Sequence, residues 1–315
     1  MKRSCLRPSR SRWRICGIVT IWGLVDSLMF AQSSRPVRAN VNLLTHLETF
    51  DKWVNVANID LPFQTYHSQG IVKIGGTFYL TAIGSSAGYL IEFALEGPDD
   101  IAASQARFIK EVQLADPEFK LRIHAGGIDY DERSRRIWCP LAERTAGTSA
   151  SILTINPSDL SFENVGSIMD HLGTTIVDTE SGRIRMIDYH TGMYSFQLKP
   201  DGSFPAEAHT AEKFVLPGEP IEYQDCKYAG NRYAVCAGHS PHRVDVIHFD
   251  PDVSGNTATP YSIAARYPLG ATNLGREAMA FEALTSSAGR RFVRFYFKPD
   301  DGRNTKLRIY DAYQL

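Results

Sequence analysis

The stretch His124-Ala125-Gly126-Gly127-Ile128-Asp129-Tyr130, a turn through 131–135, and Arg136-Ile137-Trp138-Cys139 decide how the chain is read. A polar, glycine-bearing opening runs into a short alternating strand, which turns tightly and returns as a second strand. The order recurs around His67-Ser68-Gln69-Gly70-Ile71, Asp170-His171-Leu172-Gly173, Tyr223-Gln224-Asp225-Cys226 and Arg276-Glu277-Ala278-Met279. The openings begin at 67, 124, 170, 223 and 276, separated by 57, 46, 53 and 53 residues. That spacing is near the period of propeller blades.

Each copy continues into a third strand, at 89–95, 149–155, 194–199, 243–249 and 306–313. Several end in proline and aspartate, as in Lys199-Pro200-Asp201-Gly202 and Asp250-Pro251-Asp252, residues suited to a turn leaving a strand. A fourth strand follows in the first four copies, at 108–114, 163–168, 213–216 and 261–268. The fifth copy runs into Leu315 without one, and the partly alternating segment 52–61 is the candidate to supply it. The expected fold is therefore all-β: a five-bladed β-propeller closed by an N-terminal outer strand, which leaves no free seam. The best helix signal is 101–108, with Asp99 as N-cap. Interleaved helices of roughly 10–15 residues, which a Rossmann unit needs, are absent. A sandwich would have similar strands but would not explain five similar openings.

Lys2, Arg3, Arg7, Arg10, Arg12 and Arg14 precede the mostly apolar stretch 15–25, and Leu28-Met29-Phe30 extends it past Asp26. This is the pattern of a secretory signal peptide with a cleavage point near Ala31-Gln32. The expected organisation is a signal peptide over 1–31, an extension over 32–49 and the propeller over 50–315. The expected location is secreted, extracellular or periplasmic, with no membrane association after cleavage. Without the leader, 28 basic residues face 34 acidic ones, which argues against a nucleic-acid binder. With 43% hydrophobic and 22% charged residues, the body has the composition of a folded chain, and a monomer is expected.

The body keeps Cys139, Cys226 and Cys236. A three-residue loop centred on Asn231 would place Cys226 opposite Cys236, whereas a strict two-residue Gly-Asn loop would pair Cys226 with Val235. A bridge and two small buried side chains both fit, and Cys139 reads as a core thiol.

The segments His124-Ala125-Gly126-Gly127-Ile128-Asp129-Tyr130-Asp131, Asp170-His171-Leu172-Gly173 and Tyr223-Gln224-Asp225-Cys226-Lys227-Tyr228-Ala229-Gly230 resemble an uncharacterised family of exported propeller-like proteins, known mainly as a domain of unknown function. The resemblance spans about Phe50 to Leu315. It implies the fold and export, and no activity. More distantly, rings with polar residues at the inner strand openings are similar to sugar-lactone hydrolases, arabinan-cleaving enzymes and calcium-dependent nucleotidases. That is a likeness of fold, and one fold hosts many functions.

In such a ring the blade openings gather at one mouth of the central channel. They offer His67, Gln69, His124, Asp170, His171, Gln224, Asp225, Arg276 and Glu277. The candidate catalytic residues are His124, His171 and Glu277, which also suit a divalent ion such as Zn²⁺. The oxygens of Gln69, Asp170 and Asp225 are of the kind Ca²⁺ takes. A metal would activate a water for attack on an ester or lactone. Without one, His124 or His171 would act as general base, oriented by Asp170 or Glu277, with Arg276 steadying developing negative charge. His67, Gln69, Asp170, Gln224, Asp225 and Arg276 are the candidate ligand-binding residues. Asp170 and Asp225 also suit a purely structural role as turn caps.

Other motifs are weaker. Gly84-Ser85-Ser86-Ala87-Gly88 matches Gly-x-Ser-x-Gly, but that spacing carries meaning only at a strand-to-helix turn. Gly238-His239-Ser240-Pro241-His242 suggests a triad by composition alone. The basic residues around 290–298 read as a solvated hairpin. Two function classes follow: a hydrolase of small esters, lactones or glycans with a polar or metal site at the channel, or a non-catalytic propeller that binds a small polar ligand or a protein.

Overall fold

The computed structural model describes residue 50 and residues 52–313, apart from 98–99, 117, 119, 146–147, 190–191, 206–212, 216–221, 239–242, 251–260, 270–273, 275 and 300–305. The expected signal peptide, the extension over 32–49, and His46, His190, His209, His239, Ser240 and His242 lie outside the described residues.

Five antiparallel sheets follow one another along the chain as the blades of a propeller. Blade one holds β2 (His67–Ile74), β3 (Thr77–Ile83), β4 (Gly88–Glu96) and β5 (Gln105–Leu114). Blade two holds β6 (Arg122–Ala125) and β7 (Asp129–Asp131), two halves of one interrupted inner strand, then β8 (Arg136–Glu143), β9 (Ala150–Ile155) and β10 (Phe162–Ile168). Blade three holds β11 (Leu172–Asp178), β12 (Arg183–Asp188), β13 (Gly192–Gln197) and β14 (Lys213–Val215). Blade four holds β15 (Tyr223–Gly230), β16 (Tyr233–Gly238), β17 (Arg243–Phe249) and β18 (Tyr261–Pro268). Blade five holds β19 (Ala278–Thr285), β20 (Arg291–Lys298) and β21 (Lys306–Tyr313). Its outer edge carries β1 (Lys52–Asp60), paired antiparallel with β21 from Lys52 opposite Tyr313 to Asp60 opposite Lys306.

Burial follows this radial order. Every residue of β11 and β15 is buried, so both faces of these inner strands are covered. The outer strands β10 and β18 are largely exposed or half-buried. Successive side chains of an inner strand reach opposite neighbours, as period-two geometry requires. Ile71 packs with Tyr296 and Ile309 of blade five, while Val72 packs with Ile137 and Leu153 of blade two. Ile176 joins the core against blade four, and Val177 the core against blade two. Val235 and Val244 meet Met279, Phe295 and Phe297 between blades four and five. An apolar cluster thus fills each of the five interfaces between blades, including that between the fifth and the first.

One sequence expectation is corrected, and one weak motif is placed as expected. The helix expected over 101–108 is a 3-10 turn at Ile101–Ala103, capped by Asp100, whose Oδ1 accepts from Ala102 N at 3.0 Å. Gln105 already pairs with Glu96, because the rest of the segment is needed as the outer strand of blade one. The Gly-x-Ser-x-Gly stretch is a hairpin closed by Gly84 N donating to Ala87 O at 2.8 Å. A strand follows it rather than a helix, so Ser86 stands on an exposed turn without the strained elbow a nucleophile needs.

Cys226 lies opposite Cys236 and the two form a disulfide. The turn is Asn231-Arg232, both at positive φ (50° and 64°). A bulge between Tyr228 and Gly230 supplies the extra residue that restores the Cys226–Cys236 register. Cys139 is free and buried.

Candidate functional site

The inner strands meet at the ring axis closely enough that glycine is required there. A Cβ on Gly126 would lie 2.3 Å from Gly173 O. One on Gly127 would lie 2.3 Å from Gln224 O, and one on Gly70 would lie 2.6 Å from Gly127 Cα. Gly127 N donates to Gly173 O at 2.7 Å, and Thr175 N donates to Gly127 O at 3.2 Å. Thr81 Oγ1 donates to Gly126 O at 2.7 Å. Backbone from four blades is thus closely packed as a plug, hydrogen-bonded directly between blades two and three.

Two buried carboxylates fasten this plug. Asp129 Oδ2 accepts from Val177 N and Tyr228 N, each at 3.0 Å, joining blade two to blades three and four. Asp225 Oδ2 accepts from Ile71 N and Met279 N, each at 2.9 Å, joining blade four to blades one and five. Lys227 Nζ donates to Asp225 Oδ1. Burial pushes the Asp225 carboxyl up to about 7, against the opposing pull of Lys227 and the two amides.

Above the plug, bulges redirect the inner strands. The register of β2 shifts between Ser68 and Gly70, that of β15 between Tyr223 and Asp225, and that of β11 between Leu172 and Thr174. Gln69 and Gln224 are the extra residues in the first two, and a bulged residue is free to aim where an alternating one cannot. His67 and His171 stand two residues before the bulged Gln69 and Gly173, whereas His124 directly follows the bulge at Ile123.

The result is a cavity of about 280 Å³ at the head of the plug. Of the expected residues, His67, Gln69, His124, His171, Gln224, Arg276 and Glu277 line it, together with Arg144 and Tyr189, which sequence reasoning missed. Both missed residues directly follow the second strand of a blade, β8 and β12. Antiparallel pairing brings that end level with the start of the inner strand, as Leu172 opposite Asp188 shows. The pairing rule alone pointed to those positions.

Asp170 and Asp225 stand apart from the cavity lining. Asp225 belongs to the plug, turned there by the bulge at Gln224. Asp170 Oδ2 accepts from Tyr194 Oη at 2.7 Å and Lys213 Nζ at 2.6 Å, and its Oδ1 accepts from His171 N at 2.8 Å. Burial would raise its carboxyl, but these hydrogen bonds outweigh that and hold it below the usual range. Asp170 therefore caps the turn that presents His171.

A hydrogen-bonded chain crosses the cavity wall. Gln69 Nε2 donates to Glu277 Oε2 at 3.2 Å and to Ser68 O at 3.1 Å. Its oxygen must then accept from His124 Nε2, 2.8 Å away. Burial, reinforced by His171, His67 and Arg144, pushes the His124 imidazole down to about 3, so this ring is neutral and its Nδ1 carries no proton. That nitrogen accepts from His171 Nε2 at 2.7 Å. His171 Nδ1 in turn lies 3.4 Å from Thr145 O. A carbonyl oxygen only accepts, so that contact is satisfied when His171 Nδ1 carries a proton.

Two buried atoms at the cavity are unmet. Among the described residues, Gln224 Oε1 and Arg276 Nε have no hydrogen-bond partner. Arg276 Nε comes only to 3.7 Å from Glu277 Oε1. The Tyr189 hydroxyl is held above its usual range by burial and by Glu222 and Glu277, while the Gln224 amide pulls it back. Among the described residues, no three His, Cys, Asp or Glu side chains form a group able to hold a metal. His124 explains this for the expected trio with His171 and Glu277: both its ring nitrogens are committed to neighbours.

Hydrazine synthase of Kuenenia stuttgartiensis is similar to this chain at a TM-score of 0.40 and 11% identity, over 74% of this chain and 68% of that one. No curated protein matches. The model of a family of unknown function, DUF6454, matches residues 33–314, and the chain belongs to that family.

Proposed function

We propose that the protein is an exported hydrolase of small esters, lactones or glycans, with His171 as the proton acceptor in the cavity above the plug. The observation that carries the reading is the chain from Glu277 through Gln69 and His124 to His171. It holds the His171 imidazole against the neutral ring of His124 at the cavity wall. In ester or lactone cleavage, a water would give its proton to the His171 imidazole as its oxygen bonds to the carbonyl carbon. Arg276 would face the oxyanion, and the imidazolium would return the proton to the departing alkoxide. The Cys226–Cys236 disulfide supports the export part, because such bonds persist in oxidising compartments.

The test is hydrolysis of a panel of small lactones and acyl esters by the purified protein, followed as acid release. Wild type should turn over at least one class, and His171→Ala should lower kcat about 100-fold or more, the usual span of general-base catalysis. Equal rates in wild type and variant would sink the reading.

A non-catalytic ligand-binding propeller is the second reading. It is favoured by the unmet Gln224 Oε1 and Arg276 Nε, since recognition needs those atoms and no proton transfer. A ligand bound without turnover across the panel would select it.

A further inference from the structure

Resting on the cavity being a small-molecule site, we propose that its ligand class is the hydroxycarboxylates: a molecule carrying one carboxylate beside a hydroxyl. The first support is charge. Two guanidinium groups, Arg144 and Arg276, face the cavity against one carboxylate, Glu277. Glu277 is already engaged by Gln69, and its approach to Arg276 is loose. Arginine is the side chain best matched to a planar carboxylate, and Arg276 Nε has no hydrogen-bond acceptor among the described residues.

The second support is the pair of unmet atoms. Gln224 is 3% exposed, and its buried Oε1 has no donor among the described residues. A buried polar group left unmet is costly, so a ligand that supplies a partner gains there. A hydroxyl is the group that answers it. If the amide were turned over, the nitrogen would be unmet instead, and a hydroxyl would serve that arrangement too. Arg276 Nε, also without a partner, requires an acceptor, which the carboxylate provides. The ligand must therefore present an acceptor with negative charge and a hydroxyl at the same time.

Size points the same way: a cavity of about 280 Å³ lined by nine side chains suits a small molecule.

The test is calorimetric titration of the full purified protein with lactate, glycerate and gluconate. Sorbitol supplies hydroxyls without charge, and propionate supplies charge without a hydroxyl. At least one hydroxycarboxylate should bind 10-fold or more tightly than both controls, and its affinity should fall as sodium chloride is raised. Gln224→Leu should weaken that binding at least 10-fold while propionate is unaffected. Arg276→Gln should weaken both acids and reduce the salt dependence. Should either variant fold poorly, the wild-type ranking against sorbitol and propionate decides alone. Sorbitol binding as tightly as the acids, or no acid binding at all, overturns the inference. Lactone turnover that gluconate does not inhibit would remove this ligand class and leave the hydrolase reading standing; binding of gluconate without turnover would do the reverse.

Discussion

His124 Nδ1 lies 2.7 Å from His171 Nε2, and the two rings, from adjacent blades, stand edge to face with centroids 4.6 Å apart. One proton serves that contact. Because neutral His124 gives its one ring N–H hydrogen to Gln69, the shared proton belongs to His171.

His124 should consequently not titrate between pH 5 and 8. Nitrogen-15 imidazole spectra should show it neutral and protonated at Nε2 throughout. An imidazolium signal from His124 at pH 6 would contradict the assignment.

The same depression makes stability fall in acid. An unfolded histidine takes up a proton near pH 6.5, whereas folded His124 does so near 3. Between those values the unfolded chain binds more protons, so the contribution of His124 to stability is lost progressively as pH drops from about 6.5 toward 3. Urea midpoints at pH 7 and pH 4.5 should differ more for wild type than for His124→Gln. Equal differences would mean that other groups carry the acid sensitivity.

Asp129→Ala should be among the most damaging single substitutions. It leaves the amides of Val177 and Tyr228 unmet in a dry interior. At about 1–3 kcal/mol for each such group, the loss should be roughly 2–6 kcal/mol by denaturant unfolding. A loss under about 1 kcal/mol would show that the plug relaxes around the change.

Gly127→Ala should disturb the cavity floor directly. The added methyl has to displace Gln224 O and Thr174 Oγ1, both within 2.4 Å of its ideal position. Overpacking of this kind costs about 1–3 kcal/mol, and the melting temperature should fall with it. Gly76→Ala, with nothing within 4 Å, is the control and should be neutral.

Reduction should expose the contribution of the disulfide. Cys226 and Cys236 are 10 residues apart in sequence. Closing so short a loop stabilises by roughly 3 kcal/mol in the chain-entropy account. Mass measurement of the unreduced, denatured chain should find Cys139 alkylated and Cys226 and Cys236 protected. Alkylation of Cys226 and Cys236 would mean that the bond is absent.

The blades were legible because period and alternation are properties of sequence: the third strands at 243–249 and 306–313 coincide with Arg243–Phe249 and Lys306–Tyr313. The cavity was largely legible for the same reason, since blade openings converge in any such ring. Alternation could not foresee the bulges. One extra residue at Gln224 sends Gln224 to the cavity and Asp225 to the axis, although both were expected at the mouth. Nor did the repeat expose Arg144 and Tyr189, whose types differ from blade to blade. The plug was hidden too: Gly126 and Gly127 read as turn or close-packing residues, while their contacts come from blades about 50 and 100 residues further along the chain.

The pairing of β1 with β21 orders events in time. A ribosome makes Lys52–Asp60 long before it makes Lys306–Tyr313, so the earliest strand has no edge to join until the last has emerged. Until then its alternating apolar residues are exposed, and a truncation that removes only the final strand leaves two sticky edges instead of one. Chaperone demand should therefore concentrate in the interval before Lys306–Tyr313 emerges.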